Sequence, residues 1–342
     1  MEQKKLSSLT ATRGFAALLV VIFHFGLYCS PFMEWQRFFS KGNLAVSYFF
    51  TLSGFILCYT YANIEIGYGV FIRKRMARIV PIYLLALFLA VVYQYLDLRI
   101  NGTDIPKGNT LDILLNATLL QAYFPGHAMT VNSPGWSLSI EMCFYLLFPL
   151  LLMLYKRRAM LFVAIAALFY VVSQVAHLWL INHYATTDDI RVHEFIYYFP
   201  LNHLNEFVLG MLGYHFLRLY PKLGKYCNPL LVLILICLSF VYLPFSKHNG
   251  LVSPLFVLFI VGLATQTKSV LNNKALEYLG RVSYSIYILQ MPVFLMLIML
   301  NKHTLQLTDC SFFYTAVVIL ILVSALSYHF VEQPLRRRIG KR

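Results

Sequence analysis

Ten stretches of this sequence are apolar over close to the length of about 20 residues that an α-helix needs to cross a bilayer. Runs of this length and apolarity predict transmembrane helices. A further apolar piece at 111–124 is shorter, and we expect it to lie in, or re-enter, the membrane surface. The predicted fold class is therefore all-α, a polytopic transmembrane helix bundle of about ten spans. The predicted spans are 8–29, 43–63, 79–98, 136–155, 159–181, 201–219, 229–245, 251–267, 284–301 and 311–331.

The charged residues support this class and predict an orientation. Only 12% of the residues are charged, whereas soluble domains carry about 25%. The Lys and Arg residues concentrate at alternate ends of the predicted spans, most densely at 73–78, 156–158 and 336–338. Because cytoplasmic loops of membrane proteins are rich in these residues, we expect both termini to be cytoplasmic. The same rule explains the net charge of +14, so we expect no nucleic-acid partner.

The sequence shows no domain boundary, and we expect residues 1–342 to form a single integral-membrane domain. We expect no cleavable signal peptide, because the first apolar segment is too long and contains Arg13. The six cysteines show neither a CxxC pair nor metal-ligand spacing. We therefore expect no disulfide framework and no structural metal.

The first predicted helix carries two ionisable residues, Arg13 and His24, which are costly in lipid. Eleven residues correspond to about three helical turns, so both side chains lie on one face, roughly 16 Å apart along the axis. Such a face should line a protein cavity. The alternative is an Arg13 that extends to the membrane surface and a His24 that hydrogen-bonds to a neighbouring helix.

Two carboxylates are predicted at the same depth as His24. Glu141 and Glu206 each lie about five residues inside a span that enters from the outer side, and His24 lies about five residues from the outer end of its helix. This depth is roughly 7–9 Å. A carboxylate beside His24 would fix its tautomer and favour general-base catalysis. A proton relay of a transporter and polar contacts between helices explain the same residues.

A second cluster of charge, RKRMAR at 73–78, lies at the cytoplasmic start of the third span. It acts in part as an orientation signal. Four cations in six residues would also suit the phosphates of a nucleotide-bearing donor.

Seven motifs, in order along nearly the whole chain, resemble those of the acyltransferase-3 family, multispanning bacterial O-acyltransferases of surface sugars. The motifs are the R-G and R-x10-H pattern of Arg13, Gly14 and His24, SYFFTLSGFIL (47–57), RMARIVPIYLL (75–85), WSLSIEMCFYLLFPLLL (136–152), NEFVLGMLGY (205–214), LGRVSYSIYILQMPV (279–293) and SYHFVEQPLRR (327–337).

The resemblance implies an O-acyltransferase of the bacterial inner membrane. Its donor would be cytoplasmic acyl-CoA, most often acetyl-CoA, with no metal, and its acceptor a hydroxyl of a cell-surface or lipid-linked glycan. Membrane lipid is implied as a partner, and either a homo-oligomer or a separate downstream transferase is left open. The implied catalytic residues are His24, Arg13, Glu141 and Glu206, and the implied donor-binding residues are Arg73, Arg75 and Arg78.

Two positions depart from the family pattern. Ser47 stands where the family often has an acidic residue, and Gln290 stands where it often has a histidine. We therefore expect Glu141 or Glu206 to orient His24, which acts as general base or as acyl acceptor. The alternatives are a proton-coupled transporter or exporter of a glycan precursor that uses the same residues, and a membrane scaffold or receptor.

Overall fold

The structure, a computed structural model, describes residues 6–102, 108–184, 186–222, 226–242, 250–266 and 269–341. This part of the chain is helical and contains no β-strand, which confirms the all-α prediction. Three π-helical segments extend longer helices, at Ile22–Gly26, Asn301–Leu305 and Tyr328–Glu332. The α-helices are α1 (Ser7–Val21), α2 (Gln36–Phe39), α3 (Leu44–Tyr61), α4 (Tyr68–Asn101), α5 (Thr110–Ala117), α6 (Trp136–Arg157), α7 (Ala159–Tyr184), α8 (Ile190–Tyr198), α9 (Leu204–Leu219), α10 (Pro229–Tyr242), α11 (Ser253–Thr265), α12 (Lys274–Leu300), α13 (Asp309–Ser327) and α14 (Gln333–Lys341).

Every predicted span coincides with a helix. Among the described residues, seven helical segments are long and apolar enough to cross a membrane: those built on α1, α3, α4, α6, α7, α12 and α13. The other three predicted spans correspond to α9, of 16 residues, and to the shorter apolar helices α10 and α11. The ends of spans 229–245 and 251–267 lie outside the described residues, as do residues 1–5 and 342. The count of ten spans and the cytoplasmic termini stay predictions.

The third span differs from the prediction at its start. The helix begins at Tyr68 rather than near residue 79, so the cations at 73–78 lie within α4. The reason is packing: Phe71 is buried, with its ring 5.3 Å from that of Tyr61 and 5.2 Å from that of Phe148. Burial of this ring favours the extra helical turns over a loop. The cations consequently point in directions fixed by the helix.

Glycines bring α1 and α12 into direct backbone contact. A Cβ on Gly280 would lie 1.8 Å from the carbonyl oxygen of Thr10, and a Cβ on Gly14 would lie 2.7 Å from Cγ of Leu279. Only glycine permits this approach, which is typical of helix pairs in membranes. The crossing places Arg13 beside the part of α12 that begins at Ser283.

A second glycine crossing joins α3 to α9. A Cβ on Gly54 would lie 1.9 Å from the oxygen of Phe207, and a Cβ on Gly210 would lie 1.9 Å from the oxygen of Thr51. These two contacts fix the rotation of both helices. They therefore determine which way Glu206 faces.

Candidate functional site

A cavity of about 290 Å³ lies between α1, α3, α4, α6 and α12. Its charged lining residues are Arg13, Arg75, Arg78 and Glu141, which come from three helices. Hydroxyl groups add to this polar lining. They belong to Thr10, Ser53, Ser137, Tyr145, Ser283, Tyr284 and Tyr287. Arg13 thus lines a protein cavity, whereas His24, which was predicted on the same helix face, is not among the lining residues.

A network of opposite charges lies in and beside the cavity. Arg13 interacts unfavourably with Arg78 and favourably with Glu141 and Glu332. Glu332 is 3% exposed, and Oγ of Ser285 donates to its Oε2 at 3.4 Å. Two carboxylates therefore balance two guanidinium groups that would otherwise repel each other in a buried site.

Sequence reasoning missed Glu332. The residue lies in the closing motif SYHFVEQPLRR (327–337), which was assigned no role. A carboxylate next to an apolar span could have indicated a site residue, because such a group is rarely buried without a partner.

The predicted donor-binding arginines do not share one position. Arg75 and Arg78 line the cavity, as expected for residues three apart on one helix face. Arg75 donates from Nη2 to the Tyr61 hydroxyl at 2.7 Å, and its guanidinium lies 5.4 Å from the centre of the Tyr61 ring. Arg73 is not among the lining residues.

Glu141 occupies the cavity together with Tyr145, one turn further along α6. The Tyr145 hydroxyl donates to Oε1 of Glu141. Because Tyr145 and Arg13 both interact with this carboxylate, Glu141 is held within the arginine network.

His24 lies in the π-helical segment Ile22–Gly26 and is supported by an amide. Its Nδ1 is 3.0 Å from Oε1 of Gln290. Gln290 is fully buried, and its Nε2 donates to the oxygen of Tyr287 at 2.7 Å. Since the amide nitrogen is engaged, the oxygen faces His24, and Nδ1 must donate. The ring is then the tautomer with a lone pair on Nε2.

The expected carboxylate partner of His24 is thus replaced by Gln290. His24 is not among the residues that line the cavity. His24 is connected to the cavity through α12. The backbone oxygen of Tyr287 accepts from Gln290. Tyr287 also lines the cavity, where its hydroxyl oxygen lies 2.9 Å from that of Ser137.

Glu206 occupies a different buried site. Its Oε2 lies 3.1 Å from Nδ1 of His203, whose Nε2 is 2.9 Å from the oxygen of Tyr197. Nε2 carries a proton, because a carbonyl can only accept. The short contact between Nδ1 and the carboxylate requires a second proton, which His203 and Glu206 share. The Phe50 ring, which lines the cavity, lies 5.3 Å from the His203 ring. The structure therefore does not bring His24, Glu141 and Glu206 into one cluster.

Residues 108–135, which lead into α6, form a cover over one end of the helices around the cavity. Gln121 donates to the oxygen of Gly135 at 2.9 Å, and Ser139 donates to the oxygen of Leu119 at 2.6 Å. Asn132 donates to the oxygen of Ile288 at 3.2 Å. The apolar piece predicted at 111–124 is thus a short helix, α5, followed by a turn that packs on the bundle.

Comparison with known proteins identifies the family. A model of the acyltransferase-3 family, described as an acyltransferase domain, matches residues 6–329. The chain belongs to this family. The match favours the acyltransferase hypothesis over the transporter and scaffold hypotheses. No group of histidine, cysteine, aspartate or glutamate that could hold a metal was found among the residues described.

Relatives of this acyltransferase-3 chain carry related names. The chain is 25% identical to "O-acetyltransferase OatA" of Staphylococcus aureus, over 97% of this chain and 57% of the relative. It is 26% identical to "Putative peptidoglycan O-acetyltransferase YrhL" of Bacillus subtilis, over 97% and 55%. It is 33% identical to "Acyltransferase MdmB" of Streptomyces mycarofaciens, over 43% and 39%. The chain thus spans little more than half the length of the first two relatives. No solved structure matches it significantly.

Proposed function

We propose that the protein is a membrane O-acyltransferase that moves an acetyl group from cytoplasmic acetyl-CoA to a hydroxyl of a cell-surface or lipid-linked glycan. The observation that carries this proposal is a buried cavity with three arginines and a carboxylate in a member of the acyltransferase-3 family. The names of the two relatives that match nearly the whole chain, OatA and YrhL, support acetyl transfer, and the second supports a glycan acceptor.

In this proposal Arg75 and Arg78 attract the phosphates of the donor, because guanidinium groups pair well with phosphate oxygens. The cavity volume of about 290 Å³ lies at the lower end of the range of about 300–1,000 Å³ for ligand pockets. It suits the acyl thioester end of the donor rather than the whole coenzyme. Arg13 and Glu141 then line the route of the donor from the cytoplasmic cations toward His24. Arg73 contributes positive charge near the entrance of the cavity.

His24 is the proposed catalytic group. With its proton on Nδ1, the Nε2 lone pair accepts the proton of the acceptor hydroxyl while that oxygen attacks the thioester carbon. The bond to sulfur breaks, and the proton passes to the coenzyme A thiolate. In the covalent route Nε2 itself attacks the thioester carbon and coenzyme A leaves as the thiolate. The acceptor oxygen then takes the acyl group from Nε2, and the proton of the acceptor hydroxyl passes to the thiolate.

The proposed setting is the inner membrane of a bacterium, with ten spans, both termini cytoplasmic, and residues 1–342 as one domain. The positive-inside rule and the agreement of all ten predicted spans with helices support this arrangement. His24, near the outer end of its helix, then faces an acceptor that arrives from the outer side.

The first test is acetyl transfer by purified protein from radiolabelled acetyl-CoA to a glycolipid extract of bacterial membranes. We expect coenzyme A release and labelled glycolipid with the wild type, and loss of both with His24→Ala. His303→Ala is the matched control, because His303 is an exposed histidine in another helix. A wild type that neither binds nor turns over acetyl-CoA would refute the proposal.

A further inference from the structure

A second supported histidine lies outside the cavity, in the cover between α5 and α6. Nδ1 of His127 is 2.6 Å from Oδ1 of Asp112, a carboxylate on α5. The side chain of Asp112 is 9% exposed and that of His127 is 29% exposed. The pair is therefore anchored on its acidic side and open on its imidazole side. The reaction proposed above assigns it no role.

The local structure fixes both the charge and the direction of Asp112. Its second oxygen, Oδ2, accepts from the backbone N–H of Asn109 at 2.8 Å, and the Asn109 side chain accepts from the N–H of Asp112. This is a capping box at the start of α5. Burial raises the pKa of Asp112, but the hydrogen bonds from His127 and Asn109 outweigh it and bring that pKa below its usual range.

An ionised Asp112 accepts and cannot donate, so Nδ1 of His127 carries a proton, and in the neutral ring Nε2 carries the lone pair. Nε2 has no hydrogen-bond partner within the described part of the chain. A carboxylate that holds a histidine in this tautomer is the arrangement by which enzymes prepare Nε2 to accept a proton.

The loop that carries His127 is held in place independently of the pair. Glu194 of α8 accepts from the backbone N–H groups of Gly126 at 2.7 Å and Ala128 at 2.9 Å. Further along, Asn132 binds the oxygen of Ile288 on α12, two residues before the glutamine that supports His24. The exposed imidazole thus lies on a hydrogen-bonded loop that contacts α12 close to Gln290, the partner of the proposed catalytic histidine.

We propose that the His127–Asp112 pair is an acceptor-binding site, in which Nε2 accepts a hydrogen bond from a hydroxyl of the glycan. The assignment rests on the proposed function, since it supplies the second substrate of that reaction. A sugar fits the observations because its hydroxyl groups donate, whereas the open face of His127 offers an acceptor. One such bond contributes about 1.4 kcal/mol, a tenfold change in binding.

The test distinguishes the loss of the hydrogen bond to the glycan from a displacement of the loop that carries His127. In His127→Asn the side-chain amide can still donate to Asp112 but lacks the Nε2 acceptor. In Asp112→Asn the amide can donate to Nδ1 and thereby move the imidazole proton to Nε2. Glu194→Gln is the control, since its oxygen still accepts from the loop and the pair is untouched.

Each variant is assayed for transfer from acetyl-CoA over a dilution series of the glycolipid extract. We expect both pair variants to raise the apparent KM for the extract about tenfold, with the KM for acetyl-CoA unchanged and Glu194→Gln like the wild type. Unchanged extract KM in folded His127→Asn overturns the assignment, and so does an equal rise in Glu194→Gln. Coenzyme A release by the wild type without transfer to the extract also overturns it, while absent coenzyme A release defeats the proposed function itself.

Discussion

The support of His24 by Gln290 makes a quantitative prediction. Replacing Gln290 with Met keeps the length of the side chain but removes the amide. Nδ1 of His24 then loses the oxygen 3.0 Å away that holds its proton, and the imidazole is no longer confined to the tautomer that leaves Nε2 free.

The expected size of the effect follows from the hydrogen bond. A neutral hydrogen bond contributes about 0.5–1.5 kcal/mol, and leaving a buried donor without a partner costs about 1–3 kcal/mol. If this cost falls on the transition state, kcat decreases by roughly 5- to 150-fold. Removing the proposed base, in His24→Ala, should lower kcat about 10²–10⁴-fold. The KM for acetyl-CoA should change little, because Gln290 does not line the cavity.

The assay is coenzyme A release at saturating acetyl-CoA by purified, monodisperse protein. Gln36→Met provides the same substitution at an exposed position of α2 and should be neutral. Gln290→His, which installs the residue frequent in the family, should retain most of the activity. Wild-type kcat in folded Gln290→Met would refute the reasoning, whereas a raised KM with unchanged kcat would place the amide in donor binding.

Three further predictions concern the charge network, the helix crossing and the cover that carries His127. Glu332→Gln should lower stability by on the order of 3 kcal/mol, because the buried guanidinium groups lose one counter-charge. Glu277→Gln, which weakens a pair with the exposed guanidinium of Arg281 3.6 Å away, should cost at most about 1 kcal/mol. Thermal unfolding in detergent compares the two, and equal effects would contradict the network. Gly280→Ala should force α1 and α12 apart and abolish activity, whereas Gly69→Ala, with nothing within 4 Å of its Cβ, should be neutral or slightly stabilising. Unchanged activity in Gly280→Ala would contradict the close crossing. Because the pKa of Asp112 is lowered, its ionised form stabilises the cover above its ordinary pKa of about 4, and this contribution is lost as the pH falls through the lower pKa of the folded state. Hydrogen exchange of residues 124–132, corrected for its intrinsic pH dependence, should accelerate below about pH 4 in the wild type but not in Asp112→Asn.

Apolar length and charge asymmetry were enough to predict the positions of the helices. Every predicted span contains a helix, because the need to satisfy backbone hydrogen bonds in lipid leaves few alternatives. The start of α4 could not be predicted in this way. Its first turns form because Phe71 packs against Tyr61 and Phe148, and contacts between distant segments leave no local pattern in the sequence.

The depth of the candidate site residues along their helices could be predicted from the sequence. The direction in which each side chain points could not. Position along a helix places Glu141 and Glu206 at one level, yet helix rotation decides which cavity each side chain enters. That rotation is fixed by close contacts such as Gly54 against Phe207 and Gly210 against Thr51. Glu141 consequently joins Arg13 in the cavity, while Glu206 pairs with His203.

Of the two departures from the family pattern, only Gln290 contacts His24. Ser47 provides no carboxylate, and its buried hydroxyl has no hydrogen-bond partner among the residues described. Gln290 provides the hydrogen bond instead. An amide fixes the tautomer of an imidazole as a carboxylate does, but it does not stabilise the imidazolium. His24 supported in this way should release its proton readily after each acyl transfer, which favours a base that must return to its neutral form before the next donor binds.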